Sequence, residues 1–161
     1  MDKKGLNLEI PGWGELRLEH ALFDLNGTLA LDGILSDPVK ERLYRLQDIL
    51  TIYLVTADTH GTVADLVHEF GSIEIVGIQP GNEAEQKGAV LDKLGALCTV
   101  AFGNGMNDVL MLSNACLGVC LMQGEGTATR ALLASDILVR SAEEALDMLL
   151  HPARLVATLR S

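Results

Sequence analysis

A chain of 161 residues is long enough to bury a substantial core and too short for two ordinary domains, so residues 1–161 are expected to form a single domain. Apolar residues make up 48% and aromatics 4%, with sixteen glycines, which excludes a disordered chain and suits aliphatic strands joined by tight turns. The net charge of −10, with only twelve Lys and Arg dispersed along the chain, argues against nucleic acid as a partner, and no apolar run is long enough to span a membrane.

Leu6, Leu8 and Ile10 alternate with polar neighbours, Pro11-Gly12-Trp13-Gly14 turns the chain, and Leu16 and Leu18 resume the alternation. Residues 1–20 therefore read as an N-terminal β-hairpin, with its second strand running on through Ala21-Leu22-Phe23 to Asp24. The hairpin reads as an extension of the sheet edge, with Trp13 at its turn as an alternative oligomer contact or partial lid. The opening MDKKGLNLEIPGWG lacks the apolar core of a signal peptide, and a cytoplasmic protein is expected.

Ser36-Asp37-Pro38 is a helix start, a capping side chain before a proline at the first helical position, and Leu43, Leu46 and Ile49 or Leu50 form the apolar stripe behind it. A strand over 52–55 ends at Thr56. Helices over about 62–70, 82–94, 107–115 and 128–133 then alternate with strands over 73–78, 99–102, 117–121 and 137–139, and helices close the chain. This alternation predicts right-handed crossovers and a mostly parallel sheet covered on both faces, an α/β fold. Cys98, Cys116 and Cys120 lie in apolar segments without zinc-site spacing and read as buried reduced thiols; His20, His68 and His151 show no ligand spacing either. Asp65 with Glu69, and Glu143, Glu144 and Asp147, read as solvated helix faces. His60 reads as a solvated loop residue, Asp32 as a turn aspartate beside Gly33, and Lys93 as a surface residue.

In parallel α/β sheets ligands bind beyond the carboxyl ends of the strands. Three polar clusters fall at such ends: Asp24-Leu25-Asn26-Gly27-Thr28, Thr56-Ala57-Asp58-Thr59, and Gly103-Asn104-Gly105-Met106-Asn107-Asp108, with Lys87 on the helix before the third. Each alone is an ordinary turn composition. Their order, from about Ala21 to Asp136, resembles the haloacid dehalogenase superfamily of phosphoryl-transfer enzymes, and the hairpin with FDLNGTLA resembles small soluble P-type ATPase-like phosphatases within it. FDLNGTLA is similar to the first motif, Asp-x-Asp-Gly-Thr; LVTADT to the second; Lys87 to the third; and GNGMNDVLML to the fourth, Gly-Asp-Gly-x-Asn-Asp. The resemblance implies a three-layer Rossmann-like fold, and the short gaps between motifs leave no room for the usual cap domain.

The resemblance also implies a Mg²⁺-dependent phosphatase or phosphotransferase acting on a phosphorylated substrate. Asp24 would be the nucleophile that becomes phosphorylated. Thr56 and Lys87 would hold the phosphoryl group, Gly27, Thr28, Ala57 and Asp58 would line its site, and the glycine-turn amides would face its charge. Mg²⁺ would be held by Asp24, the carbonyl of Asn26, and Asn104 or Asp108, the last directly or through water. Two amides stand where the family has acids. Asn26 cannot transfer a proton, a deficit worth about 10² to 10⁴ in rate, so slow turnover or a need for a good leaving group is expected. Asn104 removes one negative charge from the metal's surroundings and should weaken its binding. These losses fit either tuning for an unusual substrate or a non-catalytic phosphate- or metal-sensing protein. An uncovered site further implies a macromolecular phosphoester or closure by a homo-oligomer neighbour.

Overall fold

The computed structural model describes residues 4–58 and 62–161. Strands β3 (His20–Asp24), β4 (Thr51–Thr56), β5 (Glu74–Gly77), β6 (Thr99–Gly103), β7 (Leu117–Leu121) and β8 (Ile137–Val139) form a six-stranded sheet in the order β5-β4-β3-β6-β7-β8. Every neighbouring pair is parallel. β3 lies at the centre between β4 and β6, which explains its unbroken apolar run: Ala21, Leu22 and Phe23 are all fully buried.

Alternate strand residues feed two separate cores. Phe23, Leu54, Phe102 and Val119 face the layer of α1 (Asp37–Leu46), α2 (Thr62–Glu69), α6 (Ala142–Leu150) and α7 (Ala153–Leu159). Leu22, Val55, Ala101 and Cys120 face α3 (Glu83–Leu94), α4 (Val109–Asn114) and α5 (Thr129–Leu133). This is the expected three-layer Rossmann-like arrangement. Phe23 and Phe102, paired across β3 and β6, stack at 4.3 Å between ring centres and give the central strands a rigid base.

The hairpin departs from expectation. β1 (Leu6–Ile10) and β2 (Gly14–Leu18) form a separate two-stranded antiparallel sheet, so they neither extend the main sheet's edge nor run on into β3. The chain bends at Glu19, whose amide donates to the Cys98 carbonyl (2.8 Å) and whose carbonyl accepts from Thr51 (3.0 Å), inserting β3 between its neighbours. Ile10, Leu16 and Leu18 then bury their side chains in the larger core, a gain unavailable to a flat edge strand. The hairpin joins β3 at its amino end, and its tip rests on the chain's last residue, Ser161 donating to the Pro11 carbonyl (3.0 Å). It is therefore no lid over the carboxyl ends of the strands.

Ser36 caps α1 by accepting from the Val39 amide. Asp147 is not on a solvated face: both its oxygens accept from Arg42 (2.8 and 3.2 Å), clamping α6 to α1. Residues 106–108 form a 3₁₀ turn before α4. Asp32 takes a left-handed backbone (φ 51°) beside Gly33, as a turn aspartate does. Among the described residues, α1 alone lies between Thr28 and β4, and α2 and β5 alone between Thr56 and α3, so no cap domain is seen there. Among the described residues no helix is long and apolar enough to cross a membrane.

Candidate active site

Asp24 is the last residue of β3, at the sheet's centre, with 9% of its surface exposed. After it the chain closes a tight loop: Gly27 donates to the Ala30 carbonyl (2.8 Å), and Thr28 and Ala30 donate to the Leu25 carbonyl (3.3 and 2.9 Å). Gly27 has φ 79°, a left-handed conformation that a side chain would strain. The loop corrects one expectation, because the amides of Gly27 and Thr28 are spent inside the turn and do not face an anion. Thr28 instead contributes its hydroxyl, which donates to Asp24 Oδ2 (3.3 Å), while Asn26 stands exposed on the outside of the turn.

Lys87, in the second turn of α3, is 2% exposed, and its Nζ donates to Asp24 Oδ1 (2.9 Å) and Asp108 Oδ1 (2.7 Å). Asp108 is fully buried, and its other oxygen accepts from the amides of Asn104 and Gly105 (both 2.9 Å). The carboxylate thus folds back under the loop after β6. Gly103 makes this possible, since a Cβ there would sit 2.5 Å from the Asp108 carboxyl group. Asn107 ties the loop to the start of α3 by donating to Glu83 (2.7 Å). With both oxygens occupied, Asp108 braces Lys87 and the loop, and its side chain offers no exposed ligand atom. Of the two fourth-motif candidates for a metal, Asn104 is the accessible one.

Thr56 ends β4 one residue past the partner of Asp24, and its buried hydroxyl accepts from the Asp58 amide (3.1 Å), which leaves the hydroxyl proton to donate. Ala57 and Asp58 follow it on the exposed side. Thr59 and His60 lie outside the described residues.

The loop after β7 adds side chains that sequence reasoning missed. Gln123 donates to the carbonyls of Gly27 (3.1 Å) and Thr28 (2.7 Å) and accepts from the amide of Ala142 at the start of α6 (3.1 Å), so one amide side chain fastens the Asp24 loop to the C-terminal layer. The exposed Glu125 places its carboxylate where a Cβ on residue 27 would go, beside the Asn104 side-chain amide, which donates to the Gly126 carbonyl (3.1 Å). No pattern marks Gln123 or Glu125; only the adjacency of β7 to β6 brings their loop over the first motif.

Two carboxylates share one ammonium here. Burial, then the charge of Asp108, pushes the Asp24 carboxyl up to about 7 against the opposing pull of Lys87. Burial also works against the charge of Lys87, but Asp24 and Asp108 outweigh it and hold the ammonium above its usual range. The surplus negative charge at Asp24, and the carboxylate of Glu125 and amide oxygen of Asn104 beside the Gly27 turn, are hard-donor chemistry that suits a divalent cation such as Mg²⁺.

A stability dependence follows for the metal-free protein. The folded state keeps the Asp24 proton up to about pH 7, whereas the unfolded chain releases it near 3.8. Between those values the folded state binds more protons, so stability falls as pH rises through the window, and the deficit is complete above it. Asp24→Asn should flatten this slope and raise the midpoint at pH 8, by several degrees for a gain of about 2 kcal/mol. Thermal melts in chelator at pH 5 and pH 8 check it; equal slopes for the two proteins contradict it.

Comparison with known proteins places this geometry in context. A model of the haloacid dehalogenase-like hydrolase family matches residues 4–115. Among curated proteins of Methanocaldococcus jannaschii, an uncharacterized protein is 49% identical over 61 residues, 38% of this chain and 66% of its own length. A soluble P-type ATPase-like phosphatase of the same organism is 25% identical over 123 residues, 75% of this chain and 45% of its own. The chain thus spans just under two thirds of the first relative and less than half of the second. In fold, it is similar to 3-deoxy-D-manno-octulosonate 8-phosphate phosphatase from Moraxella catarrhalis, solved with magnesium, phosphate and sugar (TM-score 0.69, 15% identity, 89% of this chain and 94% of that one). The cobalt-bound enzyme from Haemophilus influenzae superposes comparably (TM-score 0.68, 12% identity, with the same coverage).

Proposed function

The chain belongs to the haloacid dehalogenase-like hydrolases, and from that premise we propose a divalent-metal-dependent phosphohydrolase that works through a phosphoaspartate at Asp24. The observation that carries the reading is the buried ion triad: a carboxylate at the carboxyl end of the central strand, held by Lys87, which Asp108 anchors in turn. An Asp24 oxygen attacks phosphorus in line, the bond to the leaving oxygen breaks, and an acyl phosphate forms. Lys87 offsets the approach of two anions in a buried site, Thr56 donates its hydroxyl proton to a phosphoryl oxygen, and Thr28 orients Asp24. Asp24, the Asn26 carbonyl and Asn104 would hold Mg²⁺, which would supply further charge offset and keep Asp24 ionised. Gly27, Ala57 and Asp58 border the phosphoryl group, and Asp108 acts through Lys87.

Asn26 leaves the leaving group and the attacking water without the family's proton carrier. We assign Glu125, an exposed carboxylate, to part of that task, on the strength of its position over Gly27. The open surface suits a phosphoester carried on a large molecule.

The test is phosphate release from acetyl phosphate and p-nitrophenyl phosphate with Mg²⁺. Release above the enzyme-free rate, abolished by chelator, is expected; background release from both leaves the non-catalytic binding protein as the reading. Asn26→Asp should accelerate the poorer leaving group by at least about tenfold, and Glu125→Gln should slow turnover of both by a similar factor. Unchanged rates in Glu125→Gln remove it from proton transfer.

A further inference from the structure

The opposite end of the sheet holds a second cluster of donors. Glu19 precedes β3, His20 begins it, and Cys98 precedes β6; one ligand atom from each lies within 4.8 Å of the other two, and all three residues are half-buried. Their backbone is fixed by the sheet itself. Glu19 donates to the Cys98 carbonyl (2.8 Å), its carbonyl accepts from Thr51 (3.0 Å), and His20 pairs with Thr51 and Thr99 on either side. The His20 ring stands edge-on to Tyr53 (5.4 Å between centres, 82°), and the Cys98 thiol points back to the Gly95 carbonyl (3.3 Å) at the end of α3.

We propose that Glu19, His20 and Cys98 form a binding site for a borderline-soft divalent cation of the zinc class, separate from the Asp24 site. The donor chemistry decides the class: thiolate and imidazole suit Zn²⁺ and disfavour Mg²⁺, which demands hard oxygen ligands. The charges match as well, because one thiolate and one carboxylate with a neutral imidazole neutralise a dication. Three protein donors leave the fourth tetrahedral position to water. Binding requires Cys98 to give up its thiol proton and exchange the Gly95 contact for the metal. The bound ion would join the residues that lead into the two central strands and so lock the root of the hairpin. The length of β3, about 13 Å over four residue steps, separates this site from Asp24. Positions 19, 20 and 98 are too distant in sequence to form a spacing motif, which is why only the fold brings them together.

Titration of the apo protein with Co²⁺ tests the site, since a near-ultraviolet thiolate-to-cobalt charge-transfer band reports sulfur ligation and an oxygen-only site cannot produce it. One equivalent of Co²⁺ should give the band, one equivalent of Zn²⁺ should displace it, and excess Mg²⁺ should not. Cys98→Ser should lose the band with its far-ultraviolet circular dichroism intact, Asp24→Asn should keep it, and Glu19→Gln should weaken Co²⁺ affinity by at least about tenfold. Zn²⁺ should raise the melting temperature of the wild type and leave that of Cys98→Ser unchanged. Absence of the band in the wild type, its survival in Cys98→Ser, or unaltered affinity in Glu19→Gln overturns the proposal.

Discussion

Asp24→Ala is expected to lower Mg²⁺-dependent phosphate release by about three orders of magnitude or more, the scale on which loss of a covalent nucleophile acts. The same substitution should abolish incorporation of labelled phosphate into acid-quenched protein, whereas under the proposed mechanism, with Asn26 in place of a proton carrier, the wild type should trap label. The substitution removes the carboxylate that Lys87 and Thr28 orient, and no other acidic side chain ends the central strand. A residual rate within tenfold of wild type would place the nucleophile elsewhere. Asp24→Asn separates chemistry from folding, since it keeps the shape, lacks the nucleophile, and is expected to melt higher at pH 8.

Lys87→Met should cost about 3 to 5 kcal/mol of stability, because it strands two buried carboxylates that share one ammonium. At roughly 2 to 4 °C per kcal/mol for a chain of this size, the melting temperature should fall by about 10 °C. The loss should be smaller at pH 5, where Asp24 accepts a proton readily, and the double variant with Asp24→Asn should recover part of it. A drop of only a degree or two at pH 8 would show that the triad is not the electrostatic support of the site. Lys93, exposed on the same helix, is the control and should tolerate Met with little change.

Much of this site was legible because strand-end chemistry is local. Asp24, Thr56 and the Gly103-to-Asp108 loop each follow an apolar run, and a parallel sheet brings such ends together. Lys87 needed the family resemblance, as nothing in α3 distinguishes it from Lys93 until it is found buried. What could not be read were relations across the sheet: the separate packing of the hairpin, the Arg42–Asp147 clamp, the reach of Gln123 and Glu125, and the approach of His20 to Cys98. Those depend on strand order and on which residue a loop turns inward, and neither has a periodic signature. Glu19 is the clearest instance, because the alternation of Leu16 and Leu18 ran smoothly into the apolar stretch of β3 and concealed the bend.

The loop carrying Gln123 and Glu125 begins after residue 115, where the family match ends, whereas Asp24, Thr56, Lys87, Asn104 and Asp108 all lie within it. Under the proposed mechanism, a chain that exchanged this loop while keeping the four motifs would retain Asp24 as acceptor and change how long an acyl phosphate there survives, so that a hydrolase and a slow molecular timer would differ by a handful of substitutions far along the chain from Asp24.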